Sequence, residues 1–180
     1  MVDKVISHYG QIDILVNNAG MASGTASEDM TLEEWDKIIR LNLTGSFLVS
    51  REVGKHMIAR RYGKIINTCS IQGIRCTMGM PGTPYNSSKG GDIMMVRSLA
   101  AEWAQYGITV NGIGPGYFPT DIDKEYLATD YFKGQLAMHC PMGRIGRDGE
   151  LNGVLIYFAS DASSYTTGQI MYVDGGWTLV

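Results

Sequence analysis

In the stretch Tyr85-Asn86-Ser87-Ser88-Lys89 a phenol and an amine lie four residues apart. On a helix that spacing projects both from one face, one above the other. A free tyrosine has a pKa of about 10, too high for efficient proton exchange near neutrality. An adjacent ammonium favours the phenolate and lowers that value. Bringing it to roughly 7 requires about 4 kcal/mol of differential stabilisation, within reach of a sheltered lysine. Taken alone, such a pair is more often an ordinary contact on a helix surface. The elements around it have to decide.

Those elements alternate along the chain. Residues 1–9 read as a short helix ended by Gly10. Ile12 to Val16 is an apolar run of strand type, stopping at Asn17-Asn18-Ala19-Gly20, a small-residue turn where backbone can approach a ligand. Thr31-Leu32-Glu33-Glu34 is a capping-box signature opening a helix through Trp35, Ile38, Leu43 and Phe47 to about Arg60. Gly63 to Cys69 is a second strand, ending at Ser70. A loop over Ile71 to Pro84 leads to a helix from about Tyr85 to Tyr106, with Met94, Met95, Leu99, Ala100 and Trp103 as core or interface positions. Ile108 to Ile113 is a third strand, followed by Gly114-Pro115-Gly116. Residues 117–145 are polar and mixed and are expected to form a lid. Asp148 is expected to cap a helix through Leu151, Val154, Leu155 and Phe158, and Gln169 to Val173 is a last strand closed by Asp174-Gly175-Gly176.

Apolar strands alternating with helices, without hairpin signals, predict an α/β fold with a parallel sheet covered by helices on both faces. In such sheets ligands sit beyond the carboxyl ends of the strands. Asn17 to Gly20, Ser70 and Pro115-Gly116 fall at those ends, and the helix carrying Tyr85 and Lys89 starts after the second. The convergence favours a site over a surface pair. The 180 residues fit a single domain, 1–180, large enough for a core. With 44% apolar and 18% charged residues the chain is globular, and its net charge of −3 argues against nucleic acid or an anionic membrane as partner. The scattered histidines His8, His56 and His139 make no metal site. Cys69, Cys76 and Cys140 lack metal or redox spacing, which suits reduced thiols in a cytoplasmic protein.

Asn17-Asn18-Ala19-Gly20, Asn42, Ser70, Tyr85-x-x-x-Lys89, Asn111-x-x-x-Pro115-Gly116 and Asp174-Gly175-Gly176 resemble, in order and spacing, the short-chain dehydrogenase/reductase family. The resemblance covers essentially the whole chain. Within the family, residues 111–117 and 172–176 look like its gluconate 5-dehydrogenase and sugar-alcohol branch. The resemblance implies a Rossmann-like sheet, NAD or NADP as cofactor, an alcohol or ketone substrate such as a sugar acid or polyol, and a homo-oligomer (dimer or tetramer). Tyr85 would be the acid in carbonyl reduction and the base in alcohol oxidation. Lys89 would lower its pKa and bind the nicotinamide ribose, and Ser70 would donate to the substrate oxygen, or only cap a turn at the strand end. Ser70 precedes Tyr85 by fifteen residues, slightly more than the family's usual spacing. Asn42, a poor helix former inside an apolar helix, would hold a water relaying protons from Lys89 to solvent, or be a satisfied buried amide. Asn17, Ala19 and Gly20 would line the adenosine side of the cofactor. Pro115, Gly116 and the backbone at Phe118 would contact the nicotinamide, with Thr120 near its carboxamide or capping a helix at Asp121. Gln72 and Arg75 could touch substrate, or sit in a solvated loop.

The family's glycine-rich strand-turn-helix for the pyrophosphate has no counterpart before Asn17, so the chain reads as an N-terminally truncated member. Its strand Ile12–Val16 is then expected at an exposed edge, with weak cofactor affinity. A second reading is therefore a non-catalytic fragment acting only through association by helices 32–60 and 85–106. A third is a hydrolase with Ser70 as nucleophile and Lys89 as base, which lacks a glycine-flanked nucleophile elbow.

Overall fold

The computed structural model describes residues 1–120 and 124–179. Four strands, β1 (Ile14–Asn17), β2 (Gly63–Thr68), β3 (Ile108–Pro115) and β4 (Ile170–Val173), form one parallel sheet in the order β1-β2-β3-β4. Register places Asn17 beside Asn67, Asn67 beside Gly112, and Gly112 beside Ile170. Because side chains alternate between faces, β2 sends Ile65 to one layer and Ile66 to the other. Ile65, Cys69 and Val110 join Val53 and Met57 of α3 (Ser46–Arg60) and Ile93, Val96 and Leu99 of α4 (Thr83–Trp103). On the opposite face Ile66 and Ile113 pack against Val154 and Phe158 of α7 (Asn152–Ala159). The expected architecture is present, with β1 at one edge. There Ile14 is 46% and Val16 44% exposed.

The helices begin and break for local reasons. α1 (Val2–Tyr9) stops at Gly10, whose φ of +84° suits glycine. At α2 (Leu32–Ile39) the Thr31 hydroxyl accepts from the Glu34 N–H at 3.2 Å. The return bond of a capping box is not made, because the Glu34 carboxylate instead accepts from the Ser23 and Thr25 hydroxyls. The helix expected to run to Arg60 is interrupted by a π turn over Arg40–Gly45, which contains Asn42. α4 starts at Thr83, two residues earlier than the sequence reading, with Pro84 in the first turn where its missing N–H is harmless. Asp148 does not cap α7; Leu151 takes the cap position. The neighbouring Glu150 is drawn instead to the Arg144 guanidinium (2.7 and 2.8 Å) and the Arg147 N–H.

The segment after β3 is seated more firmly than a lid. α5 (Lys124–Leu127) and α6 (Asp130–His139) dock through an aromatic cluster. Phe132, 2% exposed, lies 4.9 Å from Tyr117 and 5.2 Å from Tyr126 between ring centroids, and Tyr117 lies 4.8 Å from Trp177. Trp177 is delivered by the turn after β4. The Asp174 carboxylate there accepts from the Gly176 and Thr178 N–H groups, both at 2.9 Å, and Gly175 and Gly176 take φ of +65° and +89°. Among the described residues no helix is long and apolar enough to cross a membrane.

Truncating Phe132 to alanine leaves a cavity between three rings and should cost about 3–5 kcal/mol in urea unfolding. Met138→Ala on the same helix, 73% exposed, should cost almost nothing. Equal losses would contradict this assignment of the core.

Candidate active site

The carboxyl ends of β1, β2 and β3 open on a cleft of about 280 Å³. Its wall takes Asn18 and Gly20 from β1's exit, Thr68 to Gln72 from β2's, and Pro115 to Phe118 with Thr120 from β3's. Tyr85, Asn86 and Lys89 come from the first two turns of α4. Lys89 is 5% exposed; its Nζ donates to the Thr68 carbonyl at 2.6 Å and pairs with Asp92 Oδ2 at 3.3 Å. The same nitrogen lies 5.8 Å from the Tyr85 ring centroid, within cation–π range. An ammonium has three protons, so two of these contacts leave one for a ligand hydroxyl. Ser70, 6% exposed, caps the short turn Ile71–Gly73 by accepting from the Gln72 N–H at 3.1 Å. That bond uses a lone pair and leaves the Ser70 O–H able to donate into the cleft. Gly73 in this turn lies against the Lys89 carbonyl, where a Cβ would come within 2.7 Å.

Asn42 is fully buried, and both protons of its amide are spent. Nδ2 donates to the Met21 carbonyl and to Ser88 Oγ, and Oδ1 accepts from the Met21 N–H, each at 2.9 Å. The side chain thus clamps the loop after β1 onto α4, and a water held by Asn42 would have to use its main chain. Asn17 is a correction. It points away from the cleft, donating to Ser50 Oγ at 2.8 Å and Asn67 Oδ1 at 3.0 Å between sheet and α3. Its neighbour Asn18 lines the wall instead, accepting from Thr68 Oγ1 at 2.8 Å. Ala19 is exposed outside the wall, whereas Gly20 lies in it. Arg75 also turns elsewhere, donating to the Trp177 carbonyl at 2.5 Å and meeting His139 Nδ1 at 3.1 Å. Gln72 does line the cleft, its amide donating to Thr77 Oγ1 and the Tyr117 hydroxyl. The Thr120 N–H returns to the Phe118 carbonyl at 2.8 Å, and the helix cap expected at Asp121 lies outside the described residues. Asn111 stitches β3 to the loop before β4 through Thr166 and Gln169.

Sequence reasoning missed Asp92. It is 2% exposed, and burial pushes its carboxyl up to about 6 against the opposing pull of Lys89. A charged residue three positions beyond Lys89 on an inward helix face was the available signal. Cys69 lines the cleft, but burial, reinforced by Asp92, pushes its thiol up to about 12, so it is no nucleophile. The Lys89 ammonium is directed at Thr68 and Asp92, not at Ser70, which gives a serine hydrolase no base.

A sequence profile of the family described as enoyl-(acyl carrier protein) reductase matches residues 1–178. The chain is 37% identical to gluconate 5-dehydrogenase of Gluconobacter oxydans over 94% of its own length and 66% of that protein's. It is 39% identical to 5-keto-D-gluconate 5-reductase of Escherichia coli K12, over 97% and 70% respectively. The crystal structure of a gluconate 5-dehydrogenase from Burkholderia cenocepacia, in complex with NADP and tartrate, superposes with a TM-score of 0.95 at 40% identity, covering 99% of this chain and 69% of that one. The chain belongs to the short-chain dehydrogenase/reductase family. It spans about two thirds of the length of the relatives it matches.

The raised Asp92 pKa has a thermodynamic sign. The folded chain holds this proton more tightly than the unfolded one, so its contribution to stability is complete below pH 3.8 and is lost as pH rises to about 6. The stability of wild type relative to Asp92→Asn should therefore fall by up to ~3 kcal/mol across that window in urea melts. A constant difference would contradict the burial argument. For the thiols, a maleimide should label exposed Cys76 in the native protein, and Cys69 and Cys140 only after denaturation.

Proposed function

We propose that this chain is the catalytic part of an NAD(P)-dependent oxidoreductase acting on a secondary alcohol or ketone, with a sugar acid, polyol or similar hydroxylated compound as substrate. One observation carries the reading: Ser70, Tyr85 and Lys89 meet in one cleft at the strand ends, with the Lys89 ammonium held beneath the Tyr85 ring. The cleft fits the nicotinamide end of the cofactor. Gly20, Pro115 and Gly116 give it a flat, small-residue wall, and Lys89 keeps a proton for a ribose hydroxyl. The nicotinamide supplies or accepts the hydride when bound. The NADP bound by the Burkholderia relative favours NADP over NAD.

Each residue then has one task. The Tyr85 hydroxyl gives its proton to the carbonyl oxygen in reduction and takes it back in oxidation. Lys89 places positive charge where the phenolate forms, and Ser70 donates to the oxygen as negative charge develops on it. Asn42 holds the loop of Gly20 against α4, and its backbone in the π turn is the place for a relay water. Association into a homo-oligomer rests on the exposed Phe47, Leu48 and Met94 of α3 and α4. The three free thiols support a cytoplasmic location. The bare apolar edge at Ile14 and Val16 favours a second reading, in which the chain persists as an oligomer without turnover.

Cofactor absorbance should change in the presence of a panel of sugar acids and polyols, and Tyr85→Phe should lower the rate at least about 100-fold with binding retained. Turnover undiminished in Tyr85→Phe would overturn the catalytic assignment. A folded oligomer that takes up neither NADH nor NADPH would favour the second reading.

A further inference from the structure

We propose that Asp92 is a positioning residue for the Tyr85–Lys89 pair: a buried counter-charge that holds the Lys89 ammonium and, through it, sets the pH at which Tyr85 exchanges its proton. The inference deepens the proposed function and rests on Tyr85 being the proton-transfer group of that cleft.

Asp92 sits one turn beyond Lys89 on the inward face of α4. Its Oδ2 is 3.3 Å from Lys89 Nζ, and both residues are at most 5% exposed. It is 2% exposed on a helix whose next residues, Ile93 and Val96, belong to the apolar core, so its charge is costly to keep there. Its other oxygen, Oδ1, has no hydrogen-bond partner among the described residues. A carboxylate serving only the architecture would spend both oxygens on N–H or O–H groups. This one spends a single oxygen, on the ammonium. The helix needs no charge at this position to pack, since its neighbours Ile93 and Val96 fill the same layer with hydrocarbon.

The charged group acting on Asp92 is Lys89, from its own helix. The end of β2 presents Cys69, which stays a neutral thiol until about pH 12. Of the other elements packed on α4, the π turn brings the neutral amide of Asn42 to Ser88, and β3 brings the apolar Val110 into the layer of Ile93 and Val96. Asp92 is therefore positioned to offset the positive charge that Lys89 shows to Tyr85. Ionised, it weakens the pull on the phenol proton; protonated, it leaves the ammonium's charge whole. The folded carboxyl titrates at about 6, so the offset prevails at neutral pH and fades in mild acid.

Tyr85 can be followed without turnover, by NMR of the full chain carrying ζ-carbon-labelled tyrosine, with Tyr85→Phe identifying its signal. Removing the counter-charge in Asp92→Asn, or in Asp92→Val should the amide variant fail to fold, is expected to lower the Tyr85 midpoint by about one pH unit. Asp92→Glu, which keeps the charge, is expected to retain the wild-type midpoint. In turnover, the acidic limb of the pH profile for alcohol oxidation should move to lower pH by the same amount. An unmoved midpoint in a folded Asn or Val variant would overturn the proposal, as would loss of fold in both, since Asp92 would then be purely structural. Persistence of turnover in Tyr85→Phe is a separate result. It would overturn the functional reading and leave the measured midpoint shift standing.

Discussion

The buried ammonium of Lys89 organises the cleft end of this chain. The Lys89 ammonium is withdrawn from solvent and held by the Thr68 carbonyl and the Asp92 carboxylate, beneath the ring of Tyr85. Taking a charge out of water is costly unless it is paired and hydrogen-bonded. Each partner comes from an element the fold must place correctly: Thr68 from the end of β2, Asp92 and Tyr85 from α4. A shift of α4 along β2 by one turn would take the ammonium away from the Thr68 carbonyl. The position of the ammonium therefore reports the whole packing of sheet against helix.

Polar clamps at several levels keep that packing in place. Asn42, in its π turn, holds the loop after β1 to α4 through Met21 and Ser88. Asn17 and Asn67 link β1 and β2 on the α3 side, and Asn111 fastens β3 to the approach of β4. Asn17, Asn42 and Asn111 are buried with their amide nitrogens engaged, because an unmatched amide in the interior costs more than a matched one contributes, whereas Asn67 is held through its oxygen and its Nδ2 has no hydrogen-bond partner among the described residues. The aromatic cluster of Tyr117, Phe132 and Trp177 closes the other end of the cleft, and Tyr117 joins it to the wall through Gln72.

Much of this was legible in the sequence. Strand-helix alternation gave the parallel sheet, and the ends of the apolar runs located the cleft, because period and punctuation are local properties. Tyr85, Lys89, Ser70 and Gly20 fall in one wall as expected. What was not legible depended on side-chain direction and long-range partners. Asn17 and Asn18 are adjacent, and only the strand register decides which faces the cleft. Glu34 makes half a capping box because Ser23 and Thr25 compete for it. Residues 117–145 looked like a polar lid because their anchor, Trp177, lies far along the chain. Arg75 could not be placed without knowing that the Trp177 carbonyl comes to it. Asp92 lay beside the site in plain view, but its burial is a tertiary fact.

The account's central claim is that Lys89 and Tyr85 serve a hydride transfer in this cleft. Its most direct test is a reaction of the full chain, at high cofactor concentration, with NADPH carrying deuterium at the transferred position, followed by mass spectrometry of the product. The account predicts deuterium on the new carbinol carbon with the wild-type chain and its loss with Lys89→Met. Equal deuterium transfer by the Lys89→Met variant, or a carbinol product without deuterium from the wild-type chain, would contradict it.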